Sequence, residues 1–244
     1  MIVIEACNSS KDASTRTSHT IPMPSGLVKD ELIVGMMAWS DSVWHRWSTS
    51  SSSSDSDWNI TNHHSDTSGE TLNTLRFFGR ALGGSSDALI INTDSLCIAS
   101  YVIYRLSNIA GWYITPQVNG YNLFSDGGSN FPTGPCPYVD DNTPGSFLYI
   151  SIAASDYMSS AASVPTNWTL GAYTNAASTS EAMIIAAHRY LNNSQMAQTT
   201  WGTGPINVLQ FHTLMFRVLE GAYPLSESTG GIGMYLASGR IGMA

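Results

Sequence analysis

The residues best suited to bind a metal ion lie in one polar stretch of the chain. His63 and His64 are adjacent, Asp66 follows them, and Asp55 and Asp57 precede them at the end of a serine-rich run. Zinc requires ligands at fixed spacing on a rigid frame, and calcium requires a glycine-turned loop of oxygen ligands. The stretch has neither pattern, and its serine content is typical of a solvated loop. The sequence therefore predicts no metal site and no cofactor.

Two repeated carboxylates are the residues closest to an acid/base pair. Asp41 and Asp156 each follow a serine at the end of an apolar run, and the chain contains neither G-x-S-x-G nor H-E-x-x-H. An aspartate at this place accepts backbone N–H bonds in the following turn. Two equivalent copies would also lack the different environments that acid and base roles require. We therefore interpret both as structural and expect a protein that is not an enzyme.

Four tryptophans divide into two groups. Trp44 and Trp47 flank a histidine and an arginine, which indicates partial exposure. Their rings could stack on a sugar or anchor a protein contact, and the sequence leaves both options open. Trp58 and Trp168 each lie in a polar loop after an apolar run, and we expect both to pack into the core.

The last part of the chain, 221–244, is a glycine-rich C-terminal arm. Its glycines disfavour an autonomous helix or strand, yet it carries more apolar residues than a solubilising tail needs. Such a segment can become ordered on a partner, or it can remain a frayed end. The candidate partner contacts in it are Ile232, Met234, Tyr235, Leu236 and Ile241.

The elements that must position these residues are short and extended. Apolar segments rich in β-branched and aromatic residues alternate with turn clusters such as GGSSD and DDNTPG, and only 11% of the 244 residues are charged. This pattern predicts an all-β fold, a β-sandwich of jelly-roll-like form. One segment, EAMIIAAHRYL (181–191), has equal propensity for a helix.

Charge and cysteine usage limit the partners and the compartment. The net charge is −8 and the basic residues are scattered, so the chain lacks the basic stripe that binds nucleic acid. Three cysteines form no CxxC, and Cys97 lies in an apolar run where a thiol acts as a small hydrophobe. No signal peptide and no apolar run of membrane-spanning length are found. We expect assembly in a reducing cytoplasm, without membrane contact.

Two apolar stretches, LIVGMMAWSD (32–41) and LYISIAASDY (148–157), resemble each other. Aligned on their Ser-Asp ends, Leu32 falls on Phe147. The features that follow also recur in order, namely a loop tryptophan, an apolar strand and a strand that ends in arginine, Arg105 in the first case and Arg217 in the second. The recurrence indicates an internal pseudo-repeat.

The pseudo-repeat predicts the domain organisation. A unit of this size has one apolar sheet face that it cannot bury alone, so two units would close face to face into one sandwich. We predict a single domain over 21–220, with pseudo-repeats at about 27–106 and 144–218. An N-terminal segment, 1–20, would precede this domain.

The order of motifs resembles the β-sandwich virion modules of tailed bacteriophages. The chain reads TIPMPSGLVKDELIVGMMAWSD, a loop tryptophan, LRFFGRAL and SYVIYRL, followed by PGSFLYISIAASD, VPTNW and AAHRYL. In that family a proline-and-glycine turn feeds a "GD-leu-leu" strand and a "Gly-Trp" loop. Here Lys29-Asp30-Glu31 stands where Gly-Asp is usual, and no glycine precedes Trp58. The resemblance covers about 15–220.

This resemblance implies a function. It implies a virion structural protein made in the host cytoplasm, a homo-oligomer whose partner is the major capsid protein, which it decorates or cements. Two alternatives remain open, a structural protein associated with the tail or its adaptor, and a carbohydrate-binding module that uses Trp44 and Trp47.

Overall fold

The computed structural model describes most of the chain, and all structural statements below concern these parts. They are residues 1–41, 47–49, 58–67, 70–81, 89–114, 120–121, 131–132, 146–155, 163–175, 181–192, 199–201 and 211–220. Within them the chain forms sixteen β-strands and no helix, and thus no helix there is long and apolar enough to cross a membrane. The prediction of an all-β fold is confirmed.

The strands divide evenly between the two halves of the chain. The first half contains β1 (Val3–Lys11), β2 (Arg16–Thr20), β3 (Leu32–Asp41), β4 (Trp47–Thr49), β5 (Trp58–Thr67), β6 (Glu70–Arg80), β7 (Ile90–Cys97) and β8 (Ser100–Ser107). The second half contains β9 (Ile109–Ile114), β10 (Gly120–Tyr121), β11 (Phe131–Pro132), β12 (Phe147–Ser155), β13 (Thr169–Thr174), β14 (Met183–Leu191), β15 (Thr200–Trp201) and β16 (Phe211–Glu220).

The strands form two large and two small antiparallel sheets. The first large sheet has the order β1-β8-β3-β6-β5, and the second has the order β13-β14-β12-β16, with β9 and β10 both paired to β16. The first cover sheet is β2-β7-β4 and the second cover sheet is β11-β15. Each large sheet is therefore assembled from one half of the chain.

The central strand of each large sheet is buried on both faces. All nine residues of β12 are buried. Leu148 and Ile150 pack into the central core between the two large sheets, whereas Phe147 and Tyr149 pack into the outer core with Trp201 of the second cover sheet. A strand buried on both faces reads as a continuous apolar run instead of an alternating pattern. This burial accounts for the run FLYISIAA.

The two halves have the same connectivity. The counterpart of β1 is the pair β9 and β10. In chain order after that, the counterparts are β2 and β11, β3 and β12, β5 and β13, β6 and β14, β7 and β15, and β8 and β16. The large sheets pair these strands in the same order, and β2 with β7 corresponds to β11 with β15. The repetition thus extends beyond the apolar runs to include an edge strand and a cover strand at the start of each half.

The large sheets pack as if related by a two-fold axis through their central strands. β3 lies over β12, β1 lies over β13, and β5 lies over β10. The remaining facing pairs are β8 over β14 and β6 over β16, which are also counterparts of each other. Each contact between a strand of the first half and a strand of the second half is therefore repeated between the counterparts of those two strands.

The alignment of the two halves on their Ser-Asp ends is wrong by one residue. Leu32 and Leu148 both face the central core, whereas Phe147 faces the outer core. Because side chains alternate between the faces of a strand, a slip of one residue exchanges the two sets completely. Leu32 therefore corresponds to Leu148, and the Ser-Asp match arises from composition alone.

The strand-ending arginines do occupy equivalent places, opposite equivalent residues of β3 and β12. Arg105 forms a bidentate pair with Glu31, with Nε–Oε2 at 2.6 Å and Nη2–Oε1 at 2.9 Å. Arg217 is buried and lies over the ring of Phe147, with its Cζ 5.0 Å from the ring centroid. Both contacts hold the strand ends in place.

The expectation that 1–20 forms a separate N-terminal segment is wrong. β1 pairs with β8 over its whole length, and β2 pairs with β7. The sequence obscured these strands because β1 is an edge strand with few buried residues and β2 is mostly polar. The ambiguous segment EAMIIAAHRYL contains the strand β14, because pairing with β12 and β13 outweighs its helix propensity.

Candidate functional site

Most candidate partner contacts lie outside the described residues. Trp44, Ile232, Met234, Tyr235, Leu236 and Ile241 are in this group. Trp47 opens β4 and pairs with Thr93 of β7, and only its backbone is described. The role of all seven as partner contacts stays a prediction.

The histidine pair lies in a strand, and the expectation of a loop is wrong. His63 pairs with Thr74 and His64 pairs with Asn73, both through the backbone ladder between β5 and β6. Trp58, also expected in a loop, is the first residue of β5. The polar composition of β5 concealed a strand, which forms because it pairs with β6, the apolar strand that follows it. Among the side chains that the structure describes, no group of three His, Cys, Asp or Glu residues is arranged to hold a metal ion.

Trp168 is a packing residue, as predicted. Asn167 adopts a positive φ of 66°, and the backbone N–H of Trp168 donates to the carbonyl of Pro165 at 3.0 Å, which forms a tight turn before β13. The indole is 8% exposed and packs in the outer core with Phe147 and Met183. A binding role for this ring is therefore excluded by its burial.

The most site-like cluster of the described residues was not predicted. It consists of Asp12, His19 and Cys97, with Thr93 and Tyr101 around them, and we call it the Asp12–His19–Cys97 cluster. It lies where the first cover sheet packs on the first large sheet. Its members come from the turn after β1, from β2, from β7 and from β8.

Asp12 anchors the cluster because its turn is fixed to the start of β8. Its backbone N–H donates to the carbonyl of Ala99 at 3.0 Å, and the N–H of Ala99 donates to Oδ2 of Asp12 at 3.2 Å. The hydroxyl of Tyr101 donates to the same oxygen at 2.9 Å. Oδ1 lies 3.5 Å from Nε of Arg16. The carboxylate is thus held at a defined position and orientation.

His19 connects this carboxylate to β7. Its Nδ1 lies 2.7 Å from Oδ2 of Asp12, and its Nε2 lies 3.2 Å from Oγ1 of Thr93 and 3.4 Å from Sγ of Cys97. The imidazole is fully buried and Cys97 is 3% exposed. A thiol, an imidazole and a carboxylate in this order form the nucleophile, base and orienting group of covalent catalysis.

The electrostatics of the cluster keep Asp12 ionised and Tyr101 protonated. Burial by itself would raise the pKa of Asp12, but hydrogen bonds from His19, Tyr101 and the Ala99 N–H outweigh it and lower that pKa. Burial, and next the charge of Asp12, raise the pKa of Tyr101. Tyr101 therefore remains a hydrogen-bond donor to a charged carboxylate.

A second polar cluster joins the two halves and contains the other described cysteine. The hydroxyl of Tyr104 lies 3.4 Å from Nδ1 of His188, and it hydrogen-bonds to Cys7. Burial raises the pKa of the Cys7 thiol to about 12, partly offset by Tyr104, and burial lowers the pKa of His188. This arrangement keeps both groups neutral and indicates a structural contact.

No pattern in the sequence indicated the Asp12–His19–Cys97 cluster. Asp12 and His19 lie in a polar stretch without periodicity, and Cys97 reads as part of an apolar run. The expectation that Cys97 is buried is confirmed, but it is also a polar contact of His19. Only the pairing of β2 with β7 brings residues so distant in the sequence together.

No protein-family model, curated protein or solved structure matches this chain.

Proposed function

We propose that this chain is a non-enzymatic structural protein of a tailed-bacteriophage virion that decorates or cements the capsid shell. The observation that carries the proposal is the two-fold-like packing of the large sheets, with β3 over β12 and β1 over β13. A protein with this packing places equivalent strands on its two sides. It can therefore contact two neighbouring, identical subunits of a symmetric shell at once.

The burial pattern supports the same proposal. The described apolar residues are concentrated in one central core and two outer cores, and few large hydrophobic residues are exposed among the described residues. The low share of charged residues in the sequence favours a surface of mostly neutral polar groups, which suits close packing against neighbours. The proposed partners are the major capsid protein and other copies of this chain. The net charge of −8 disfavours direct contact with nucleic acid.

The contact residues proposed for the shell are Trp44, Trp47 and the apolar residues of the C-terminal arm. Two other assignments compete with decoration of the shell, a structural place on the tail or its adaptor and a carbohydrate-binding module. The place on the tail or its adaptor is supported by the same two-fold-like packing of the large sheets. The second depends on the rings of Trp44 and Trp47 being exposed.

Co-sedimentation tests the proposal. Purified full-length protein is mixed with isolated capsids, or with isolated tails, of the phage that encodes it, and it is applied in parallel to a glycan panel. Saturable binding to capsids, with no binding to glycans, is expected. If the protein binds tails and not capsids, it is a tail protein and the proposal is wrong. If it binds glycans, and the double variant Trp44→Ala with Trp47→Ala does not, it is a carbohydrate-binding module and the proposal is also wrong.

A matched pair of variants locates the contact. Deletion of 225–244 is expected to weaken capsid binding while the unfolding midpoint of the protein stays nearly unchanged. Tyr173→Ser, which removes an exposed ring of β13 on the sandwich itself, is the control and is expected to bind as the full chain does. If the deletion binds equally well, the C-terminal arm is not a contact.

A further inference from the structure

We propose that Cys97 is a nucleophilic thiol that takes up one equivalent of a small, neutral electrophile of the peroxide class. His19 accepts the thiol proton, and Asp12 orients and stabilises the imidazolium that forms. The reaction is a stoichiometric modification without turnover. It goes beyond the proposed structural role and does not depend on it.

The argument begins with the protons of His19. Its Nδ1 lies 2.7 Å from a carboxylate oxygen that also accepts from Tyr101 and Ala99, so Nδ1 carries a proton and donates it. Its Nε2 contacts two groups, Thr93 and Cys97. The Thr93 hydroxyl donates to the carbonyl of Ser95 at 2.8 Å, so it has no proton left for Nε2.

The thiol of Cys97 also lies 3.7 Å from Oγ1 of Thr93, a longer contact than the one to His19. Two proton arrangements fit the contact between His19 and Cys97. In one, the thiol of Cys97 donates to Nε2 across 3.4 Å and the imidazole is neutral. In the other, the proton resides on Nε2 and is shared with Oγ1 of Thr93 at 3.2 Å, which leaves a thiolate beside an imidazolium. A single proton shift over one contact converts the first arrangement into the second. The carboxylate of Asp12, 2.7 Å from Nδ1, holds the ring in place and faces the imidazolium while the proton is on Nε2.

The step with hydrogen peroxide balances without another reactant. Sγ of Cys97 transfers its proton to Nε2 of His19 and attacks one oxygen of the peroxide. The S–O bond forms and the O–O bond breaks, so the sulfur is oxidised by two electrons to a sulfenic acid. The leaving hydroxide takes the proton from Nε2 and departs as water.

Burial determines the class of electrophile. Cys97 is 3% exposed and His19 is 0% exposed, and the carboxylate of Asp12 lies behind the imidazole. A large or anionic reagent would have to displace the first cover sheet or approach a buried negative charge. A neutral molecule of about the size of water meets neither obstacle.

Cys7 provides an internal comparison. It is more exposed than Cys97, but its hydrogen-bond partner is Tyr104, which is not a base. Burial alone would make Cys7 the faster of the two thiols, whereas the Asp12–His19–Cys97 cluster makes Cys97 the faster. Which cysteine reacts faster therefore shows whether burial or the Asp12–His19–Cys97 cluster determines the reaction rate.

The experiment treats the folded full-length protein at pH 7 with hydrogen peroxide for set times, removes the peroxide, and then unfolds the protein in urea with dimedone present to trap sulfenic acid. Peptide mass spectrometry then resolves the cysteines. Cys97 is expected to be labelled about tenfold faster than Cys7 or more. If the peroxide is added in urea instead, the two rates should converge. Labelling of Cys7 at the same rate as Cys97, or faster, in the folded protein overturns the proposal.

A matched pair of histidine variants assigns the base. His19→Gln is expected to slow the labelling of Cys97 about tenfold or more, whereas His188→Gln, the same change at the contact of Tyr104, should leave it unchanged. Unchanged labelling in a folded His19→Gln protein overturns the proposal. If His19→Gln does not fold, as judged by circular dichroism, the order of Cys97 and Cys7 in the unmodified sequence decides.

Discussion

At the scale of single residues, buried polar groups of the first half connect segments that are distant in the sequence. Asp12 accepts hydrogen bonds from three groups, a histidine of β2, a tyrosine of β8 and a backbone N–H before β8. The histidine belongs to the first cover sheet and the other two donors lie at the start of β8, so the carboxylate connects the first cover sheet to the first large sheet. Buried polar groups of this kind stabilise when every partner is present and destabilise when one is lost.

The stability of the protein should therefore depend on pH through Asp12. Its pKa is lower in the folded state than in the unfolded chain, so its contribution is fully present above the unfolded value. The contribution is lost as pH falls through the folded value. We expect the free energy of unfolding, measured by urea titration, to decrease from neutral pH to about pH 3. Asp12→Asn should reduce this decrease.

Glu31 supplies the control for this experiment. Its pKa is also lowered, because the hydrogen bonds from Arg105 and from the backbone N–H of Val28 outweigh the effect of burial. Glu31→Gln should therefore remove a separate part of the acid sensitivity, and the two effects should add because the residues share no partner. An unchanged acid sensitivity in Asp12→Asn would show that the Asp12 bonds are equally strong in the unfolded chain.

At the scale of elements, the central strands of the two large sheets solve the same packing problem differently. Gly35 of β3 and Ser151 of β12 are equivalent positions on the outer faces. A Cβ at Gly35 would overlap the ring of Phe77 and lie 2.6 Å from the carbonyl oxygen of Val102. At Ser151 the hydroxyl instead accepts a hydrogen bond from Nε1 of Trp201 at 3.2 Å. The ring of Phe77 thus fills the space beside Gly35, and the indole of Trp201 fills the space beside Ser151.

Gly35→Ala should therefore destabilise the protein. The added methyl group has to displace the Phe77 ring and the backbone of β8, and overpacking of this kind costs about 1–3 kcal/mol. The measurement is the free energy of unfolding in urea. Phe77→Leu in the same chain should recover part of the loss, and a neutral Gly35→Ala would mean that β3 and β8 can separate without cost.

At the scale of the whole molecule, the central core is shared by both halves. Residues of β3, β6 and β8 pack there against residues of β12, β14 and β16. Polar contacts cross the same boundary, including Thr74 Oγ1 with His212 Nδ1 at 3.0 Å and Lys11 with Glu181 at 2.6 Å. Separation of the halves would expose the apolar face of each large sheet to water.

Unfolding is expected to occur in one cooperative transition over 1–220, because neither half can cover its central face alone. The check is scanning calorimetry, in which the calorimetric and van't Hoff enthalpies should agree. A fragment 1–108, which contains every strand of the first half, should not be a stable monomer. Two separated transitions, or a stable monomeric fragment, would contradict the prediction.

The sequence by itself determined the fold class and the existence of a repeat. Short apolar runs such as FLYISIAA, separated by glycine and asparagine turns, indicate strands because local propensity and turn chemistry act within a few residues. The burial of Trp168 and the equivalence of Arg105 and Arg217 were predictable in the same way, from their order along similar runs.

Only the tertiary structure decided the register, the edge strands and the candidate site. The face of Leu32 depends on which sheet packs above it, and the sequence of β3 is apolar on both faces, so alternation gave no guide. β1 and β2 are polar strands that depend on backbone pairing with distant partners, and β5 is a polar strand that depends on pairing with its neighbour β6. Asp12, His19 and Cys97 meet for the same reason, because the pairing of β2 with β7 and of β1 with β8 is a long-range contact that no local pattern encodes.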